Sequence, residues 1–239
     1  MDSSIVQKIY HILEKRRYNR GAPFLQDRII RIIENAVIAE VPIPLVGFWG
    51  VGSKYKPNFA DIESCEFLNS LNDEIKQIYS QGIEFIFIFA TLHGLHNGYD
   101  KQSIDSYISD MRLIFSQYDF KCILLENLWD KYDISFERID SLFEQKPKDW
   151  WINIPEREII EKNALRRNKK YPANIAAQKY YIMRSLEKEI FEKEFGEYIF
   201  HAFSDPKLKG VLPNLPTLYL WSTGRNHSDA PWFVDSEKK

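Results

Sequence analysis

LVGFWGVG (residues 45–52) and IEFIFIFA (residues 83–90) decide the fold. Each is an almost uncharged run of apolar, β-branched and aromatic residues of strand length, as a strand buried on both faces requires. Pro42 and Pro44 lead into the first, where a residue without an N–H belongs. Between the two runs, Ile62, Cys65, Phe67, Leu68, Leu71, Ile75 and Ile78 recur at helical spacing over residues 61–79. Asp61 is placed to cap that helix and Gly82 to close it. A strand, a helix of this length and a second strand imply parallel pairing through a right-handed crossover.

Working outward, residues 91–99 (TLHGLHNGY) read as a loop, residues 102–118 as a helix and residues 120–125 as a third strand ending at Glu126 and Asn127. Such a β-α-β-α-β series is the signature of a Rossmann-like α/β fold. Upstream, apolar periodicity predicts helices over residues 4–18 and from 23 or 24 to about 40, a helical N-terminus spanning residues 1–40. Downstream, residues 130–196 read as a helical insertion. It holds a short helix at 134–143, a lid-like loop with Pro147, Trp150 and Trp151, and two helices at 155–168 and 172–195. Strand character returns at 198–203 and, after a loop over 205–214, at 217–221, a last strand expected at the sheet edge and suited to antiparallel pairing. Residues 1–239 thus form one domain with a mostly parallel central sheet flanked by helices.

A formal net charge of −2 speaks against a general nucleic-acid binder, which is usually basic. Cys65 and Cys122 have no metal-type spacing and read as reduced, buried thiols, which suits a cytoplasmic protein. The opening residues carry charge inside their apolar run, unlike a secretory signal, and no segment approaches the roughly 20 apolar residues of a membrane span. These features leave a small molecule as the expected partner, with no membrane partner and the oligomeric state open.

In an open α/β sheet, ligands sit beyond the carboxyl ends of the strands. After the first strand come Gly50 and Gly52, then Lys54, Lys56, Asn58 and Asp61. Lysines beside glycine backbone and a helix start form an anion site; the plainer reading is an exposed basic loop. It is not a dinucleotide fingerprint, because the chain passes through Lys54, Lys56 and Pro57 before the helix begins. After the second strand, His93 and His96 are candidates for general acid–base work, with Asn97 as a substrate contact. A His-x-x-His metal site completed by His201 or Asp205 lacks a fourth ligand at recognisable spacing, so no metal or resident cofactor is expected. The run Arg166, Arg167, Lys169, Lys170 reads as a solvated helix end. Arg184, three and four residues from Tyr181 and Tyr180, can clamp a carboxylate or phosphate. His201, before Ser204 and Asp205, joins the candidate binding residues, but no Gly-x-Ser-x-Gly elbow supports a hydrolase triad.

The order of these features resembles the isocyanide (isonitrile) synthase family of the pyoverdine-cluster and dityrosine type. Lys56-Pro57-Asn58, then Asp61 and Glu63, are similar to its loop and helix start; Ile78-Tyr79 and Gly82 to its helix end; Ile104 and Tyr107 to its Val/Ile-x-x-Tyr step. Ala230-Pro231-Trp232-Phe233 stands where that family often has Thr-Pro-Trp-His, and His93-Gly94-Leu95-His96 where it has an Asp-Gly-Arg-like segment. The resemblance implies a Rossmann-like enzyme that converts an amino acid's amine to an isocyanide, with ribulose 5-phosphate as carbon donor. Lys54 or Lys56 would then hold or condense with the sugar phosphate, His93 or His96 move protons and Arg184 bind a carboxylate. Other readings on the same fold are an S-adenosylmethionine-dependent transferase, a cyclodipeptide-synthase-like enzyme and a non-catalytic binding module. The first wants an acidic residue where Ala90-Thr91 stand, and the second a Gly-x-Ser where Gly47-Phe48-Trp49 stand. The third would use Trp150-Trp151 as an exposed contact patch.

Overall fold

The computed structural model describes residues 3–15, 22–52, 55–203, 215–220 and 230. Helices α1 (Ser3–Glu14) and α2 (Gln26–Ala39) precede β1 (Ile43–Trp49). Then come α3 (Phe59–Lys76), β2 (Ile83–Phe89), α4 (Thr91–His96), α5 (Lys101–Ser116) and β3 (Lys121–Leu124). The long connection to β4 (Ile199–His201) holds α6 (Leu125–Lys131), α7 (Phe136–Glu144), a 3-10 turn (Trp150–Asn153), α8 (Arg157–Arg167) and α9 (Ala173–Phe195), and β5 (Thr217–Leu218) follows.

The strands form one all-parallel sheet in the order β3-β2-β1-β4-β5. Strand order reverses at β1, whose neighbours β2 and β4 are reached from opposite sides, so the crevice beyond β1 and β4 is a topological switch point. Period-two alternation sorts the side chains into two layers. Leu45, Trp49, Phe85, Phe87 and Phe89 face α1, α2, α3 and α5, where Leu13, Ile33, Leu68, Met111 and Phe115 meet them. Val46, Ile88 and Phe200 face α6 and α9, against Leu128, Trp129, Met183 and Phe191. A side chain of this size contributes about 1.5–3 kcal/mol when removed from water, so both layers anchor the sheet. Gly47 is needed where β4 crosses: a Cβ there would lie 2.7 Å from the His201 carbonyl oxygen. Among the described residues no helix is long and apolar enough to cross a membrane.

The last strand is parallel, not antiparallel. Phe200 N donates to Pro216 O (2.7 Å) and Ala202 N to Leu218 O (2.9 Å). The antiparallel contact at this edge comes instead from Phe24, which exchanges two backbone hydrogen bonds with Thr217. Residues 91–96 form a helix where a loop is expected, because Gly94 N and Asn97 N close turns onto Ala90 O and His93 O. Asp61 is not the N-cap of α3: Asn58 is, with Asp61 as the third helical residue reaching back to the Asn58 N–H in a capping box. Trp150 and Trp151 form a 3-10 turn rather than an open lid, and Trp151 is buried against Tyr181, its Nε1 donating to Glu161.

Candidate active site

The strongest concentration of buried charge lies between α4 and α9, over the carboxyl end of β1. Glu187 is fully buried. One of its oxygens lies 2.7 Å from His93 Nε2, and the other accepts from Arg184 Nη1 at 2.6 Å. Burial by itself pushes the Glu187 carboxyl up; His93 and Arg184, by charge and hydrogen bonding, more than reverse this and leave it below the ordinary carboxylate range. Phe48 floors the cluster: the Arg184 guanidinium stands 4.2 Å above its ring and the His93 ring 5.1 Å away. Tyr180 closes the other side, 5.5 Å from His93, with its hydroxyl pKa raised by burial. Only 12% of the His93 side chain reaches solvent.

A second network lies on the opposite face of β1. Trp49 Nε1 donates to the Tyr107 hydroxyl (3.0 Å), which donates to Asp61 Oδ1 (2.6 Å). Asp61 Oδ2 takes the Asn58 N–H at 2.9 Å. Asn58, Asp61 and Tyr107, three of the residues that carry the family resemblance, are therefore joined by hydrogen bonds at one strand end. Burial, with the Asp61 charge, holds the Tyr107 hydroxyl well above its ordinary range. Gly50 and Gly52 are buried just beyond the strand, whereas Lys56 is exposed. Lys54 lies outside the described residues.

His96 turns away from His93. It is buried, and its Nε2 pairs with the Ala176 carbonyl at 3.1 Å; burial pushes its pKa down to about 4, so the ring is neutral and Nε2 donates. Asn97 accepts from Asn168 Nδ2 (3.3 Å) and, at its backbone oxygen, from Lys169 N (2.9 Å), tying α4 to the α8–α9 junction. His201 sits on the Trp49 side of the sheet, against Phe203 and Phe87. Burial pushes its pKa down to about 3; the Leu220 backbone compensates weakly, and neither ring nitrogen has hydrogen-bond geometry to a partner. The structure thus gathers His93 with Arg184, and Asn58 with Asp61, while His96 and His201 point elsewhere. Among the described residues no three His, Cys, Asp or Glu side chains converge as a metal cluster would.

The sequence reading omitted Glu187, and a signal for it was present. Met183, Arg184, Glu187, Ile190 and Phe191 share one apolar stripe of α9, so a carboxylate there has to be buried and needs a partner. Glu126, expected at a strand end, lies instead in α6 and accepts from Thr91, binding α6 to the start of α4.

No protein-family model and no curated protein matches the chain. Among solved structures, Leishmania major tyrosyl-tRNA synthetase in complex with tyrosinol has a TM-score of 0.53 at 10% identity, over 87% of this chain but only 29% of that one. The PvcA protein from Pseudomonas aeruginosa has a TM-score of 0.64 at 16% identity, covering 95% of this chain and 87% of that one, so the two share one fold along nearly their whole lengths.

Proposed function

We propose that this protein is an isocyanide-synthase-like enzyme that acts on the amine of an amino acid, with ribulose 5-phosphate as carbon donor. The observation that carries the reading is agreement between two independent likenesses. The short motifs resemble the pyoverdine-cluster isocyanide synthases, and the chain shares its fold with PvcA along nearly its whole length. The hydrogen-bonded set Asn58, Asp61 and Tyr107 supports it, since the motif residues meet at a strand end. Lys56, exposed beside that set, and Lys54 would receive the sugar phosphate, while Gly50, Gly52 and Asn58 line the approach. His93 would move protons and Arg184 help hold the substrate side on which it lies; His96, Asn97 and His201 would shape the surrounding shell.

Mass spectrometry of pooled amino acids with and without ribulose 5-phosphate tests this. Replacement of an amine by an isocyanide adds one carbon and removes two hydrogens, and the product should form only with the sugar. Lys56→Ala should abolish it while stability changes by no more than about 0.5 kcal/mol, as for an exposed side chain without structural contacts. Undiminished turnover would remove Lys56 from the mechanism.

A further inference from the structure

His93, Glu187 and Arg184 form an ordered chain whose chemistry can be read from its charges. Glu187 carries one negative charge, and its two oxygens are divided between Arg184, which is always protonated and donates at 2.6 Å, and His93. In its neutral form the His93 ring faces that carboxylate and must donate, which puts the proton on Nε2, 2.7 Å from Glu187. Nδ1 is then a bare lone pair. Among the described residues it makes no hydrogen bond and, unlike the ring nitrogens of His201, is not a buried orphan. The ring cannot turn to swap its nitrogens without breaking the Glu187 bond and sliding between Phe48 and Tyr180.

We propose that Glu187 is the positioning residue of the site: backed by Arg184, it locks His93 in the Nε2–H tautomer so that Nδ1 accepts the proton of a substrate ammonium group. This rests on the amine-directed reading above. An ammonium has no lone pair; transfer of one N–H proton to Nδ1 leaves a free amine and an imidazolium, and the new charge is held by the Glu187 carboxylate. The titratable groups around His93 include His96 on its own helix, Tyr180, Arg184 and Glu187 on α9, and Glu126 on α6, which bonds Thr91 at the start of α4; β1 contributes the Phe48 ring.

The tautomer is read directly by NMR of protein labelled with 15N-histidine, with the His93 signals identified by their loss in His93→Gln. At a pH where the ring is neutral, wild type should show a single Nε2–H form. Arg184→Met/Glu187→Gln removes both buried charges together, so no lone charge is stranded, and should show mixed tautomers. An Nδ1–H form in wild type overturns the proposal even if the double variant does not fold, and so does an unmixed Nε2–H form in a folded double variant. In the isocyanide assay the double variant should lose about 100-fold in kcat, as for loss of general-base catalysis, with a rise in KM because Arg184 also helps hold the substrate. That loss should shrink at least tenfold as the pH rises into the substrate amine's own titration range. A loss independent of pH overturns the proton-acceptor role. Absence of product from wild type would instead remove the reaction reading, and the NMR result would still decide where the proton sits.

Discussion

Tyr107 shows how one hydroxyl joins three elements. It takes the Trp49 indole N–H from β1 and gives its own proton to Asp61 on α3, while standing on α5. All three side chains are buried, and the Tyr107 hydroxyl bridges the other two. Tyr107→Phe keeps the ring in place and leaves the Trp49 N–H and one Asp61 oxygen without this partner. Losing a hydrogen bond costs about 0.5–1.5 kcal/mol, and one to a charged group about 1.5–3 kcal/mol. Denaturant unfolding should therefore show a loss of at least about 2 kcal/mol with an unchanged m-value. Under the proposed function, product formation should fall as well, because Asp61 fixes the Asn58 turn beside Lys56. Loss of stability below about 0.5 kcal/mol would mean that water replaces the hydroxyl. Identity and position alone could suggest Asn58, Asp61 and Tyr107 as a set, since each falls in a short motif. Glu187 had no motif, only an apolar stripe with a charge on it.

At the scale of elements, α4 is the piece that matters and the piece least visible in the sequence. The strands β1 and β2 announce themselves as apolar runs, and α3 and α5 by their periodicity. Helix α4 spans six residues, too few for periodicity, and contains a glycine that lowers helix propensity. What holds it is tertiary: a Cβ on Gly94 would lie 2.5 Å from Val51 Cγ2 and 2.9 Å from Ile104 Cδ1, so only glycine lets α4 settle between the β1 exit and α5. Helix α4 in turn carries His93 towards Glu187. Gly94→Ala should cost about 1–3 kcal/mol of stability, as overpacking does. It should also shift the His93 ring signals while leaving those of His11, on the distant α1, in place. A Gly94→Ala protein with wild-type stability and wild-type His93 signals would show that the contact relaxes freely. The pairing direction of β5 was illegible for a similar reason: two residues of strand state no direction, and Phe24, far away in sequence, supplies the antiparallel half of that edge.

The molecule as a whole holds two histidines in water-poor positions on opposite faces of one sheet, and this sets how it responds to acid. Folding lowers His96 to about 4 and His201 to about 3, from an ordinary 6.5, in both cases chiefly through burial. A folded value below the unfolded one means that the unfolded chain binds protons first as the pH falls. The stability contributed by the neutral rings is therefore complete above pH 6.5 and is lost progressively below it, towards each folded value. With both rings acting, the slope should approach about 2.7 kcal/mol per pH unit near pH 5, twice the 1.36 kcal/mol expected for one proton. Glu187, held below its ordinary 4.5, adds its own loss only under that value, so the carboxylate and histidine contributions separate along the pH axis. Chemical denaturation at a series of pH values should thus show stability falling from about pH 6.5, well before ordinary surface carboxylates titrate. His201→Leu removes one of the two rings without exposing its pocket, and should roughly halve the slope between pH 6 and about 4.5. A flat profile down to pH 4.5 in wild type would show that the rings gain water or partners on protonation, and would place His201 nearer solvent than the packing of Phe87 and Phe203 implies.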